Sequence, residues 1–472
     1  MNPRSVSLLA RRVAGSPGAT ARPRLVARPA GRRDGCLSSV GARASGGLVR
    51  LGLFSLDLAR LGVARLGLFG LGLFGLGLPA VAAAAVCKVP EMAHPTIQKA
   101  VDDAACSEVV LGAQVYSEQV SIGRSGVTVR GAGPGRTVLR SPMRRTRSTV
   151  TASYLPNFTY VVQVKPDAEA TLADLSIDGN GDASCTERYF GLRAHNAAVT
   201  LQSVVVENVR GTTANLGCNA NVFAVAATAD AGRSASLAIE QGTVRGFQAA
   251  GVLVYGAGAS GSIKNSIVRG VGAQDKVAQT GIWFRNSAAG AVDRTTLSDL
   301  RFTGDPCKGV GTGLSSYNAG RVFFTANVLR LIDRGIWLRQ NRTDQVVTEN
   351  RLVSVLAGIL SQSNSAGKVR ISKNGIAEVQ RSTAPTVDTC FAESGDGVAV
   401  KSEKSTSLVG NSVAGSARAG IELLAGSDSV AVEQNQATRS SRYDIEDHGT
   451  GSRLSLNLCK TSSPAGLCTG KP

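Results

Sequence analysis

Trp283 and Arg285 form an aromatic-x-cation pair, and Trp337 and Arg339 form a second. Ser315 and Tyr317 stand between them in the chain with the same spacing. Arg193 and His195, Leu253 and Tyr255, Leu360 and Gln362, and Ala399 and Lys401 repeat it, and Glu422 occupies the first position once more. Indole and phenol rings offer flat faces to the CH groups of a sugar, and a guanidinium meets a carboxylate through two parallel hydrogen bonds. Together they suit an acidic polysaccharide, with Trp283, Trp337, Tyr255, Arg193 and His195 as its binding residues. Hydrolysis of a glycosidic bond needs two carboxyl groups about 5–9.5 Å apart. These rows offer only Glu422, which disfavours a hydrolase. β-Elimination needs a cation against the uronate carboxylate and a base for the α-proton; Arg285, Arg339, Tyr317 and Lys401 are the catalytic candidates. No unambiguous lyase motif accompanies them. A solvated sheet face, with rings tucked under loops, would use the same residue types without any ligand.

The elements that must hold these side chains are legible. Each pair follows a glycine in a strictly alternating frame: Gly251-Val-Leu-Val-Tyr, Gly281-Ile-Trp-Phe-Arg, Gly313-Leu-Ser-Ser-Tyr, Gly335-Ile-Trp-Leu-Arg, Gly358-Ile-Leu-Ser-Gln, Gly397-Val-Ala-Val-Lys and Gly420-Ile-Glu-Leu-Leu. Period-2 alternation is the signature of a strand with one face buried. Val252/Val254, Ile282/Phe284, Ile336/Leu338, Val398/Val400 and Ile421/Leu423 are the expected inward stack. A downstream Asn-x-apolar element recurs at Asn265, Asn327, Asn350, Asn374, Asn411 and Asn435, with Thr295 in the same slot. Asparagine at a fixed turn tolerates left-handed backbone and can bond to its counterpart in the next repeat; ligand binding is the lesser alternative for these residues. Intervals of 22–24 residues separate many successive positions. That is one solenoid turn of about three short strands, so the chain reads as all-β, a solenoid of on the order of a dozen coils.

Composition agrees. Of 472 residues 43% are hydrophobic but only 4% aromatic, with 55 glycines, which suits thin stacked β layers. The net charge of +18 is uneven: residues 1–85 hold 12 arginines and 2 acids, leaving 40 basic against 32 acidic residues, or +8, for the rest. The opening is Arg-rich and without hydrophobic period. Leu66–Leu78 is then uninterruptedly apolar, preceded by Arg65 and followed by Pro79 and a run of small residues. This pattern predicts a secretory signal peptide cleaved near Ala83–Ala85, too short to span hydrocarbon. Residues 1–85 are therefore expected to be a disordered leader plus signal peptide, and 86–472 the folded domain.

Thr96-Ile97-Gln98, with Ile97, Ala100, Val101 and Ala104 at helical spacing, predicts a short helix over 95–105 N-capped by Thr96. The run from there through Val127-Thr128-Val129-Arg130-Gly131-Ala132-Gly133 resembles the start of secreted right-handed parallel β-helix proteins, the pectin lyase-like group. The resemblance implies a right-handed single-stranded parallel β-helix whose N-terminal helix covers the open first coil. The closing Asn457–Cys468 stretch is also similar to the ends of bacterial β-helix repeat proteins. The resemblance covers nearly all of 86–472, and it specifies fold far more than activity.

Setting Cys36 aside with the leader leaves eight cysteines, expected to pair in chain order as Cys87–Cys106, Cys185–Cys218, Cys307–Cys390 and Cys459–Cys468, the last a C-terminal clip over 459–468. Insertions fall at Val271–Ala278, Ser298–Val310 and Ile376–Asp396, each before a glycine frame, where loops on a rigid scaffold wall a site or simply stabilise it. Asp178-Gly-Asn-Gly-Asp182 imitates the opening of a calcium loop, but Ala183 and Tyr189 stand where Gly and Glu belong. No cofactor is expected, calcium being the one weak candidate. The three histidines, His94, His195 and His448, are too dispersed in sequence for a metal site. The expectation is a secreted (extracellular or periplasmic) monomer, without nucleic-acid partner or membrane span, that binds an acidic polysaccharide, with cleavage by β-elimination left open. The alternative is a non-catalytic glycan-binding or cell-surface structural β-helix.

Overall fold

A computed structural model describes residues 85–217, 221–365 and 367–472. Residues 1–84 of the expected leader and signal peptide, and Cys218 of the expected Cys185–Cys218 pair, lie outside the described residues. Alternating apolar residues give strands, and the strands pair in parallel, coil upon coil. One sheet has 14 strands, from Ala85–Val89 to Arg453–Ser455. A second runs from Val120–Ile122 through Ala250–Tyr255, Thr280–Arg285, Thr312–Tyr317 and Val398–Lys401 to Ala419–Leu423 and beyond. A third contains the short strands Ser176–Asp178, Val205–Glu207, Thr243–Arg245 and Ile267–Arg269. Two twelve-residue strands, Val328–Arg339 and Arg351–Gln362, pass from the third sheet into the second without a break. The chain is a right-handed parallel β-helix, the hand that parallel crossovers take.

The inward residues meet at identical heights: Val252 pairs with Ile282, Ile282 with Leu314, Leu314 with Ile336 and Ile336 with Ile359. All are buried in one continuous core. The glycine that opens each frame is required by close approach. A Cβ on Gly281 would stand 2.7 Å from the Gly313 carbonyl oxygen and 2.8 Å from Leu297 Cδ2, and one on Gly313 2.6 Å from the Gly335 oxygen. Those contacts are closer than side chains tolerate, so the coils stack at this distance only with hydrogen in that place.

At one corner Asn327, Asn350, Asn374, Asn411, Asn435 and Asn457 form a buried ladder. Each backbone N–H donates to the side-chain Oδ1 of the next, at 2.9–3.0 Å. From Asn327 to Asn435 each Nδ2 donates to that same oxygen and to a carbonyl. The donors of these five side chains are satisfied within the stack, which gives them a structural role. Two details correct the sequence reading. Asn265 is not in the ladder; Ser266 fills the slot, its hydroxyl accepting from Gly242 N at 3.1 Å. The left-handed backbone also belongs to the residue before the ladder position: Asn265, Arg294, Ala326, Glu349, Lys373 and Gln434 all have φ between 46° and 60°.

A second ladder at another corner escaped the sequence reading. Ala319 N donates to Asn341 Oδ1, Asn341 N to Asn364 Oδ1, and Asn364 N to Glu403 Oε1. Glu403 is buried, and burial pushes its carboxyl up to about 7 despite the bonds from Asn364, Ser361 and Thr406.

Helix Ile97–Asp102 covers the first coil, with Ile97, Ala100 and Val101 buried and Thr96 Oγ1 accepting from Lys99 N. It stops short of 105 because Asp103 turns to an extended backbone. Cys87–Cys106 clips this end and Cys459–Cys468 the other. The Asp178 turn closes on the protein itself: Oδ1 accepts from Asn180 N and Asn208 Nδ2, and Oδ2 from Arg140.

Two outcomes test the ladders. Asn374→Ala strips partners from Asn350 N and the Val347 carbonyl, and a buried orphan costs about 1–3 kcal/mol; urea unfolding should show a loss of about 2 kcal/mol or more, and a loss within error would contradict the ladder's role. For Glu403 the folded state binds more protons than the unfolded state between the ordinary carboxylate range and about pH 7, so its ionisation removes stability as pH rises through that window. Glu403→Gln should therefore be more stable than wild type at pH 8, by on the order of 1–3 kcal/mol, and no better at pH 4.

Candidate functional site

The outward row expected from sequence is in register. Leu253 pairs with Trp283, Trp283 with Ser315, Ser315 with Trp337, Trp337 with Leu360, and Leu360 with Ala399. Two residues on, Tyr255 pairs with Arg285, Arg285 with Tyr317, Tyr317 with Arg339, Arg339 with Gln362, and Gln362 with Lys401. The two Trp-Arg pairs are thus two coils apart, roughly 9–10 Å by strand spacing.

Cations and rings interleave along this face. The Arg285 guanidinium lies 4.8 Å from the Trp283 ring and 5.4 Å from that of Tyr317; Arg339 lies 5.2 Å from Tyr317 and 5.1 Å from Trp337. The rings therefore do less as bare sugar platforms than the sequence alone implied. They hold guanidinium groups in place on a half-buried surface, where the cation–π attraction is worth about 1–2 kcal/mol.

A groove of about 590 Å³ opens over Trp283, Ser315, Trp337, Arg339, Leu360, Gln362 and Lys401. Its walls are Val277 and Ala278, the segment from Pro306 to Val310, and Thr389, Cys390, Ala392 and Glu393. These are the three insertions noted in sequence, and Cys307–Cys390 ties two of them together. Arg285 and Tyr317 flank the groove through their contacts with its lining.

Two consecutive residues anchor the walls, and sequence reasoning missed both because they precede the Gly335 frame. Asp333 Oδ2 accepts from Phe302 N at 2.7 Å and Gly311 N at 2.9 Å, pinning the first wall. Burial pushes this carboxyl up to about 6 in spite of those bonds. Arg334 pins the second. Its Nε donates to Glu393 Oε1 at 2.8 Å, and its guanidinium sits between Trp337, 4.4 Å away, and Phe391, 5.2 Å away. Phe391 and Val387 pack in turn on Ala357.

Three expected binding residues are displaced by a segment the sequence did not single out. Residues 141–158 fold over the N-terminal part of the same face. Arg193 is 0% exposed; its Nη1 and Nη2 donate to the carbonyls of Leu155 and Tyr154, and its guanidinium lies 4.2 Å from the Phe158 ring. Burial lowers it to about 9. His195, 1% exposed, is bonded to Thr228 and Asp230, and burial with the Arg193 charge depresses its pKa. Tyr255 stacks on Tyr154 with centroids 3.7 Å apart. Arg193 and His195 are therefore structural, and Tyr255 carries part of the lid contact. The open groove begins at Trp283.

Beyond Lys401 the face turns acidic. Glu422 pairs with Glu446, which no glycine frame announced because Asp444 stands where the glycine would. Arg418 bridges Asp396 and Glu422. Burial first, and the Glu422 charge beside it, push the Asp396 carboxyl well above its ordinary range.

The three disulfides among the described residues, with paired cysteines at both ends and in the groove wall, mark a chain folded in an oxidising compartment outside the cytoplasm. Among the described residues no helix is long and apolar enough to cross a membrane.

Residues 235–452 match the model of a family described as NosD, periplasmic copper-binding protein. Among curated proteins none matches. Solved structures similar to the chain include the periplasmic alginate epimerase AlgG, at 8% identity over 74% of this chain and 77% of that one with a TM-score of 0.43. The A-module of the Azotobacter vinelandii mannuronan C-5 epimerase AlgE4 is similar at 15% identity over 78% and 95%, TM-score 0.43. The catalytic unit of a GH87 α-1,3-glucanase from Streptomyces thermodiastaticus is similar at 12% identity over 75% and 64%, TM-score 0.40.

Arg334→Ala should release the 376–396 wall while the coils stay folded, since losing one partner of a buried ion pair costs about 3–5 kcal/mol. Hydrogen exchange should rise across 376–396 and not across Thr280–Arg285. Unchanged exchange in that loop would contradict the anchoring role.

Proposed function

We propose that the chain binds an acidic polysaccharide in the groove over Trp283, Ser315 and Trp337, with Arg285 and Arg339 as carboxylate clamps. The observation that carries the reading is the interleaving of Arg285 and Arg339 with Trp283, Tyr317 and Trp337. A guanidinium already held beside a ring loses little freedom on binding a carboxylate through its N–H groups. Lys308 and Lys401 line the same groove and add positive charge. Two clamps two coils apart fit a polymer whose carboxylates recur every second sugar.

The same groups could serve elimination. A guanidinium would offset the uronate carboxylate, and Tyr317 or Lys401 would accept the proton on the carbon beside it. The electron pair then forms the carbon–carbon double bond as the neighbouring glycosidic oxygen leaves, taking up a proton. A non-catalytic glycan-binding role uses the same clamps without the base. Incubation with uronate polymers separates the two, since elimination creates an ultraviolet-absorbing unsaturated product.

Binding itself is tested with Arg339→Ala. Charge-assisted hydrogen bonds are worth about 1.5–3 kcal/mol, so affinity for a polyuronate should fall about tenfold or more at low salt, with a smaller deficit at high salt, where screening weakens the pair in both proteins. Trp337→Ala should weaken binding several-fold, by freeing both Arg339 and Arg334. Wild-type affinity in Arg339→Ala, measured by calorimetry, would sink the groove assignment.

A further inference from the structure

Outside the groove, one cluster of ligating side chains carries chemistry that the glycan reading does not use. Glu422 follows Ala399 in register and Glu446 follows Glu422, so two carboxylates lie on neighbouring coils of one face. His448 lies beside them, its Nε2 2.7 Å from Glu446 Oε1. Glu422, Glu446 and His448 each place a donor atom within 4.8 Å of the other two.

Hydrogen bonding is left incomplete there. Among the described residues Arg418 bridges Asp396 and Glu422, and Arg442 pairs with Glu446. The Glu446 side chain is 1% exposed, and Arg442 reaches only its Oε1, at 2.5 Å. Glu446 Oε2 is buried with no hydrogen-bond partner among the described residues. An unpaired oxygen on a buried carboxylate is costly, and nothing in the coil stack requires it. A cation would give that oxygen a partner.

We propose that Glu422, Glu446 and His448 bind one divalent cation of the borderline class, of which zinc is the representative. Two carboxylate oxygens and one imidazole suit zinc-like ions, whereas calcium and magnesium take oxygen donors alone. Donors at about 2.0–2.2 Å from one tetrahedral ion stand roughly 3.3–3.6 Å apart, a spacing that three donors already within 4.8 Å of one another reach by small side-chain rotations. His448 is exposed and gives the entry path. Three protein donors leave a fourth position for water or a substrate oxygen. The other cluster of this kind, Cys87, His94 and Cys106, offers no thiolate because its sulfurs are joined to each other. The site lies three coils from Trp337, roughly 14 Å by strand spacing, and stands independently of the glycan reading.

The test uses the untagged mature chain, stripped with chelator and titrated with zinc chloride alone by calorimetry, with the melting temperature followed in parallel. Wild type should take one zinc per chain and melt higher with it. His448→Ala, a surface change that leaves the coils packed, and Glu446→Gln should each weaken zinc binding about tenfold or more and abolish the thermal shift. Absence of zinc binding by wild type, or wild-type affinity in both variants, would overturn the proposal.

Discussion

Everything on this molecule's surface depends on how closely one coil can approach the next. The glycine at the head of each frame leaves no atom where the next carbonyl must pass, and the asparagine ladders absorb the backbone donors at the corners. With both in place the strands have a single register. A shift of one residue would exchange every inward side chain for an outward one. The glycine row and the ladder therefore do more than hold the helix together. They decide that Trp283, Ser315 and Trp337 share a row, and that Arg285, Tyr317 and Arg339 share the next.

Given that register, the face differentiates by what covers it. Over the N-terminal coils residues 141–158 bury Arg193 and His195. Over the middle coils the Asp333-Arg334 pair holds two loops upright and leaves a groove between them. Over the last coils the row becomes acidic, through Glu422 and Glu446. One sheet thus carries a closed, an open and a charged region in succession, each made by side chains at equivalent positions on successive rungs.

Much of this was legible in the sequence, for reasons specific to a solenoid. Strict alternation after a glycine tells inside from outside, and the repeat interval tells which residues share a row, so Trp283 and Trp337 could be placed together before any coordinates. Coverage was not legible, because residues 141–158 have no period and their target is set by tertiary contact: Tyr154 finds Tyr255, and Arg193 finds two carbonyls. Arg334 was hidden because it precedes the frame. Glu446 was hidden because Asp444 replaces the glycine. Asn341, Asn364 and Glu403 did carry a signal, each lying six residues after its glycine, but the last is a carboxylate where the pattern shows an amide. Asn265 misled for the opposite reason, being the left-handed residue beside the ladder rather than a member of it.

The central claim is that the open groove takes an acidic polymer, and the chain supplies its own reporter. Its only two tryptophans are Trp283 and Trp337, both lining that groove. Intrinsic tryptophan fluorescence during titration with an oligouronate should change saturably, revert on adding salt, and stay flat with a neutral glucan of the same length. A flat response to the oligouronate, or an equal response to the neutral glucan, would contradict it.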